Sequence, residues 1–400
     1  MTGCDGHRDQ RTYERTVLVY MVAENNLSYG DYHEQDLKEM EAAVGQMPSD
    51  SRLVVYVDDT LYPRLFVFES HADSTVHRRV IREWSKDVNS ASKETLASVI
   101  GTVTDEFPAK HYGFLFWSHG DGWLPAQRAP QRRSIGIDNG YNAYANSGNR
   151  MEIADLASAL KAFPSLDFVM FDACFMQTVE VAYELRNVCR YLIASPTEIP
   201  LPGAPYDQLV PALFLEPANP VAIADAYRDY YRDNEISVLG TPYRYGVVLS
   251  VVDCAHMQDL TLVCRRLLDR YPQPYADGTF GDAFPYYPLS SSMVPPFYDM
   301  KAAMHSLLTD EDQTRFLAAF NLAVPYISSN AVYYCADLGR SVDVPAEGIG
   351  GISAYYPIDS DFYRRLNGWF QNTSWYKDVY CSTLDDGEST LSDEYSRLDD

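Results

Sequence analysis

Uninterrupted apolar runs alternate with amphipathic stretches along most of this chain. The segment from Thr16 to Val22 is apolar at every position after the first, the mark of a strand covered on both faces, and it is expected to lie centrally in a sheet. Leu37, Met40 and Val44 recur at helical spacing, and Leu53-Val-Val-Tyr-Val57 is a second apolar run; together these read as a βαβ unit. A further strand is expected from Arg64 to Glu69. Leu96, Val99, Ile100, Val103 and Phe107 form the apolar stripe of an amphipathic helix with Ser92 as its N-cap. That helix delivers the chain into Tyr112-Gly-Phe-Leu-Phe-Trp-Ser-His119, a strand-like run ending in a reactive side chain.

The segment from Leu124 to Arg150 is rich in Pro, Arg, Asn, Ser and Gly and has no periodicity, so a long exposed loop is expected there. A helix is expected from Asp155 to Phe163, then a second strand-like run with a reactive end, Phe168-Val-Met-Phe-Asp-Ala-Cys174. Met176 to Val188 reads as a helix and Tyr191 to Ala194 as a strand, opening into the breaker-rich loop Ser195 to Gly203. A strand from Tyr245 to Asp253, a helix from Met257 to Leu268, a helix after Asp299 and a last strand near Gly350 to Tyr356 follow. No internal repeat is visible. The pattern is α/β with a mainly parallel sheet.

Four hundred residues exceed the usual single domain, so one large core with a second lobe, or two closely fused domains, is expected. With 46% hydrophobic residues and thirty-one Tyr spread along the chain, extensive disorder is excluded. The exception is 381–400, where seven acidic residues stand among Ser and Thr, an acidic flexible tail. A formal charge of −24 lacks the basic footprint of a nucleic-acid binder, so no nucleic-acid partner is expected. No run approaches the about 18 apolar residues that span a bilayer. Met1-Thr-Gly-Cys4 followed by Asp5 reads either as the end of a bacterial lipoprotein signal, with Cys4 as a lipidated membrane tether, or as an ordinary N-terminus. The seven cysteines include no C-x-x-C pair, so no metal site is expected, and Cys189, Cys254 and Cys264 read as reduced, buried small hydrophobes.

If the two reactive-ended runs lie side by side in a parallel sheet, His119 and Cys174 emerge at one carboxyl edge, where open α/β folds place their crevice. A cysteine where a strand turns into a helix has its thiol pKa depressed by the helix N-terminus. His119 would take the thiol proton and return one to a leaving amine. Gly120 and Gly122 let the backbone approach a substrate, and the Gly120 and Cys174 N–H groups could form an oxyanion hole. Either residue alone is more often core or surface than catalyst. Together, in this order and 55 residues apart, they match the arrangement noted for caspase-type peptidases.

Two other classes stay open on the residues alone. One is a catalytically silent surface binding protein using Tyr-rich loops such as Phe284-Pro-Tyr-Tyr287. The other is a carboxylate glycosidase using Asp58 or Asp59 with Asp172.

The segments Thr16–Leu27, Phe116–Trp123, Phe171–Met176 with Val179-Glu180, Ser195–Tyr206 and Gly350–Pro357 together resemble the clostripain family of cysteine peptidases. The resemblance implies a caspase/gingipain-like three-layer fold: an N-terminal arm over 1–11, a catalytic domain over 12–239 and a C-terminal subdomain over 240–380 packed on it. It implies a His119–Cys174 dyad acting on a protein or peptide substrate after Arg or Lys. Asp172 matches one acid of the S1 pocket. Pro202 stands where relatives carry a second acid, which leaves Glu198 as a substitute from the same loop. Relatives are often cut between the catalytic residues, and self-cleavage is expected near Arg133, within a segment that also carries Arg128, Arg132 and Arg150. No cofactor is required; some relatives depend on calcium, but no EF-hand-like loop places an ion here. An exported, periplasmic or cell-surface bacterial monomer is expected.

Overall fold

The computed structural model describes residues 11–70, 75–124, 135–140, 148–233, 236–238, 241–243, 245–271, 273–276, 279–281, 283–287, 297–336 and 338–381. Its centre is a nine-stranded sheet. The strands are β1 (Tyr13–Val22), β2 (Arg52–Asp58), β3 (Arg64–Ser70), β4 (Val76–Glu83), β5 (Ala109–Trp117), β6 (Leu166–Asp172), β7 (Tyr191–Ala194), β8 (Val248–Asp253) and β9 (Tyr326–Ser329). They lie in the order β9-β8-β7-β6-β5-β1-β2-β3-β4. The five inner strands from β7 to β2 are parallel, and two antiparallel strands close each edge.

Alternation along β1 shows why the run is apolar throughout. Leu18, Tyr20 and Val22 enter one core and Val17, Val19 and Met21 the other. The first face is covered by α2 (Lys93–Glu106), α3 (Ile153–Leu160), α4 (Val179–Leu185), α7 (Met257–Leu268), α8 (Met300–Leu307) and α9 (Asp310–Ala323). The second is covered by α1 (Tyr32–Ala43), α5 (Tyr206–Leu213) and α6 (Pro220–Asp233). Each fully buried Val, Leu or Phe contributes about 1.5–3 kcal/mol over its exposed state, so a strand buried on both faces is strongly held centrally. Ser92 caps α2 by accepting from the Thr95 N–H.

The chain after residue 240 adds β8 and β9 to this same sheet and α7–α9 to its first face. It also supplies a strand, Ser353–Tyr355, paired with Phe297–Asp299. No helix among the described residues is long and apolar enough to cross a membrane.

The expectation of an exposed loop from Leu124 to Arg150 is corrected where the structure describes that segment. Ile135–Asp138 is a buried strand paired with Asn149–Met151. Its backbone is used as support: the Gly136 N–H donates to His119 O (3.0 Å) and the Asn139 N–H to Glu24 O (3.0 Å). Tyr286, in the Tyr-rich segment considered as a contact loop, is a buried side chain whose hydroxyl donates to Asp299 (2.9 Å). Cys4, Arg128, Arg132, Arg133 and residues 382–400 lie outside the described residues.

Candidate active site

β5 and β6 are parallel neighbours with Trp117 opposite Asp172. Two residues further on, each strand has released its reactive side chain at the same edge, and His119 and Cys174 line one cavity of about 510 Å³. The loop after His119 is folded hard against the cysteine. A Cβ on Gly120 would stand 2.7 Å from Cys174 O and 2.8 Å from Met176 Sδ, so only glycine permits this approach. At the loop's far end Trp123 is buried among Phe297, Tyr355 and Phe370, with ring centroids 5.5–6.0 Å away. The C-terminal third of the chain therefore anchors the histidine loop.

The cysteine loop is pinned as firmly. Phe175 holds φ +60, a left-handed conformation rare for a bulky side chain. Its N–H donates to Thr197 O (3.0 Å) and that of Gln177 to Ser195 O (2.9 Å). Gln177 Nε2 reaches Ser250 O and Oγ on β8 at 3.0 and 2.7 Å. The Ile199 N–H donates to Cys174 Sγ (3.2 Å).

These contacts change the electrostatic picture expected from sequence. Cys174 is not at a helix N-terminus, because α4 starts only at Val179, capped by Thr178 accepting from the Val181 N–H (3.1 Å). Burial, joined by Glu198, Asp121 and Asp172 and opposed by the Ile199 hydrogen bond, pushes the thiol up to about 12. The resting side chain is a neutral thiol, and a base must remove its proton. His119 Nε2 lies 2.6 Å from Asn26 Oδ1.

Three acids, Asp121, Asp172 and Glu198, line the cavity, and no Lys or Arg is among the described residues that do. Asp172 lies at its buried end. Its carboxylate accepts from the Ala204 N–H (3.1 Å), Tyr206 OH (3.1 Å) and Tyr227 OH (2.8 Å). Burial raises its pKa, opposed by those three donors. Gly203, at φ +66, brings its backbone against this carboxylate, where a Cβ would stand 3.1 Å from Oδ2. Leu201, Tyr245 and Tyr334 supply apolar walls. Glu198 also lines the cavity, and its Oε2 accepts from the Ala336 N–H.

The structure thus brings together His119, Gly120, Asp172, Cys174 and Glu198, all singled out in the sequence. Asp58 and Asp59, considered as glycosidase acids, stand apart from the cavity lining. Asp59 pairs with Arg64 (2.8 Å). Asp58 belongs to a buried group with Glu24 and Asp138, whose oxygens lie within 4.8 Å of one another. That oxygen set has the chemistry of a calcium site, yet Ser90 N–H, Ser90 Oγ–H and Gly140 N–H already donate to Asp138 (2.6 Å), Asp58 (2.5 Å) and Asp138 (3.0 Å) respectively. Burial pushes Asp58 up to about 8. Sequence reasoning missed Asn26, an exposed loop amide with no local signal, and Trp123 as the anchor of the histidine loop.

Comparison with known proteins gives a consistent picture. The profile described as "Clostripain family" matches residues 19–380. Clostripain of Hathewaya histolytica is 24% identical over 218 residues, 48% of this chain and 41% of that protein; the match spans less than half the length of the curated relative. A secreted C11 cysteine protease from Bacteroides thetaiotaomicron, solved with an irreversible peptide inhibitor, superposes with a TM-score of 0.79 at 32% identity, covering 92% of this chain and 100% of the other. An inactive zymogen C11 protease from Parabacteroides distasonis superposes with a TM-score of 0.76 at 31% identity, covering 92% and 99%.

Proposed function

This chain belongs to the clostripain family, whose homologues are cysteine endopeptidases, and from that premise we propose that it cuts peptide bonds through a Cys174 thioester after a basic P1 residue. The observation that carries this reading is the one cavity holding His119 and Cys174 together with a buried carboxylate, with acids and no Lys or Arg in its described lining. The Sγ of Cys174 attacks the scissile carbonyl carbon as His119 takes the thiol proton. The Gly120 and Cys174 N–H groups face the developing oxyanion. The C–N bond then breaks, the amine leaving with the proton held by His119, and water releases the acid from the thioester. No cofactor enters these steps.

A P1 guanidinium or ammonium would meet Asp172, whose oxygens are held by Tyr206, Tyr227 and the Ala204 N–H. Glu198 supplies the second negative charge in place of the acid that Pro202 lacks. Two carboxylates near one cation repay its desolvation better than one. Self-cleavage near Arg133 and export, with Cys4 as a lipid tether, complete the proposal; the related zymogen and secreted proteases support the first and the second respectively. The protein acts as a monomer in this reading.

A panel of fluorogenic peptides differing only in P1 tests it, using the chain before and after limited trypsin treatment followed by trypsin inhibition, with Cys174→Ala treated in the same way as the control. Arg and Lys substrates should be cut, Gln and Leu substrates at least about 100-fold more slowly, and Asp172→Asn should lose most of that preference. Equal cutting of Leu and Arg substrates would contradict the basic P1 assignment.

A further inference from the structure

Histidine can serve as a base only if its proton sits on the other ring nitrogen, and some partner must fix that choice. Here that partner is Asn26. His119 Nε2 is 2.6 Å from Asn26 Oδ1, and an amide oxygen only accepts, so Nε2 carries the hydrogen and the lone pair lies on Nδ1. We propose that Asn26 is the positioning residue of a Cys174–His119–Asn26 triad, holding the imidazole in the tautomer and plane that accept the thiol proton. The inference rests on the dyad reading above.

Asn26 sits on the turn that follows β1, and this turn is built to be rigid. Its neighbour Asn25 is fully buried. Asn25 Nδ2 donates to Val22 O and to Ile137 O, both at 2.9 Å, while its Oδ1 accepts from the Leu27 N–H at 3.0 Å. Tyr29 N–H donates to Asn26 O (3.2 Å), and Ser28 Oγ to Ala23 O. The same Ile137 strand supports the histidine loop through the Gly136 N–H on His119 O. Asn25 therefore fixes the distance between the turn bearing Asn26 and the loop bearing His119, and Asn26 itself is exposed. A neutral partner suits this site. The thiol is already pushed up by nearby acids, and a charged partner would add a further carboxylate to the same edge.

The test compares the parent with Asn26→Ala, Asn26→Asp and His119→Ala, reading kcat and KM on the best basic-P1 peptide and the rate of Cys174 alkylation by iodoacetamide from pH 5 to 9. Asn26→Ala should lower kcat about tenfold or more with KM within about twofold. Asn26→Asp keeps an acceptor and should retain more activity than the alanine variant. It should also move the acid limb of kcat/KM upward by about one pH unit, because a carboxylate stabilises the imidazolium. A merely structural residue would not move that limb. Parental kcat in Asn26→Ala, or an unmoved limb in Asn26→Asp, overturns the triad while leaving the dyad intact. A His119→Ala variant with unchanged turnover and alkylation overturns the dyad reading itself, and the triad falls with it.

Discussion

Among the described residues the Ile199 N–H draws the Cys174 thiol toward its ionised form, and three carboxylates work against it. Burial together with Glu198, Asp121 and Asp172 pushes the thiol up to about 12, while the Ile199 N–H pulls the other way. Removing one of these charges should favour the thiolate. Glu198→Gln, which keeps an oxygen for the Ala336 N–H, is expected to speed iodoacetamide labelling of Cys174 at pH 8 by about two- to tenfold, the scale of a shift below one pKa unit. Slower or unchanged labelling would show that Glu198 does not act on the thiol. The same acids would be neutralised by a basic P1 side chain, so substrate binding and nucleophile activation become linked. At this scale the meeting of His119, Cys174 and Asp172 in one cavity at the sheet edge was legible in the sequence, because each closes or follows an apolar strand. Asn26 was not: it is an exposed amide 93 residues before its partner, and only the folded backbone brings the two together.

Two adjacent strands deliver the reactive residues, and the loops beyond them decide the geometry. Gly120 is the tightest point, since an added Cβ would press on Cys174 O and Met176 Sδ at 2.7 and 2.8 Å. Gly120→Ala should separate the histidine and cysteine loops and lower kcat on the order of 100-fold, with far-UV circular dichroism unchanged; parental turnover would argue that the loops tolerate separation. β1, β2 and β5 were legible because apolar runs covered on both faces leave little ambiguity. The polar edge strand β4, with its charged and half-exposed residues, has no such signal. α6 hid for another reason: its buried stripe is Ile223, Ala224, Tyr227 and Tyr231, and tyrosine reads weakly as apolar. The strand Ile135–Asp138 was lost in a Gly- and Ser-rich stretch, although its backbone carries the support of His119. The helix N-terminus assigned to Cys174 failed because Phe175 takes φ +60 and the chain needs four more residues before α4 begins.

Across the whole molecule, acids are more numerous than bases and several are buried. Burial pushes Asp36 up to about 9, Asp58 to about 8, and Glu39 and Glu180 to about 7. Between the usual carboxylate value near 4 and these values, the folded chain holds protons that the unfolded chain has released. Their contribution to stability is therefore fully present below about pH 4 and is lost as pH rises through about 7 to 9. Calorimetry should show a lower melting temperature at pH 9 than at pH 6, and Asp58→Asn should narrow the difference; a melting temperature that rises over this range would contradict the assignment. The architecture as a whole was legible in the alternation of strands and helices. The way β8 and β9 extend the central sheet, and the way Ser353–Tyr355 pairs with Phe297–Asp299 beside Trp123, depends on contacts far apart in sequence, which no local pattern records.

One measurement tests directly whether Cys174 is the nucleophile of a peptidase. A mixed peptide library is incubated with the parent chain and with Cys174→Ala, each with and without limited trypsin treatment followed by trypsin inhibition, and the products and both proteins are read by mass spectrometry. Cutting after Arg and Lys by the parent, none by the variant, and parental self-cleavage near Arg133 are expected. Cutting by Cys174→Ala at the parental rate, or by neither protein under any condition, would contradict that role for Cys174.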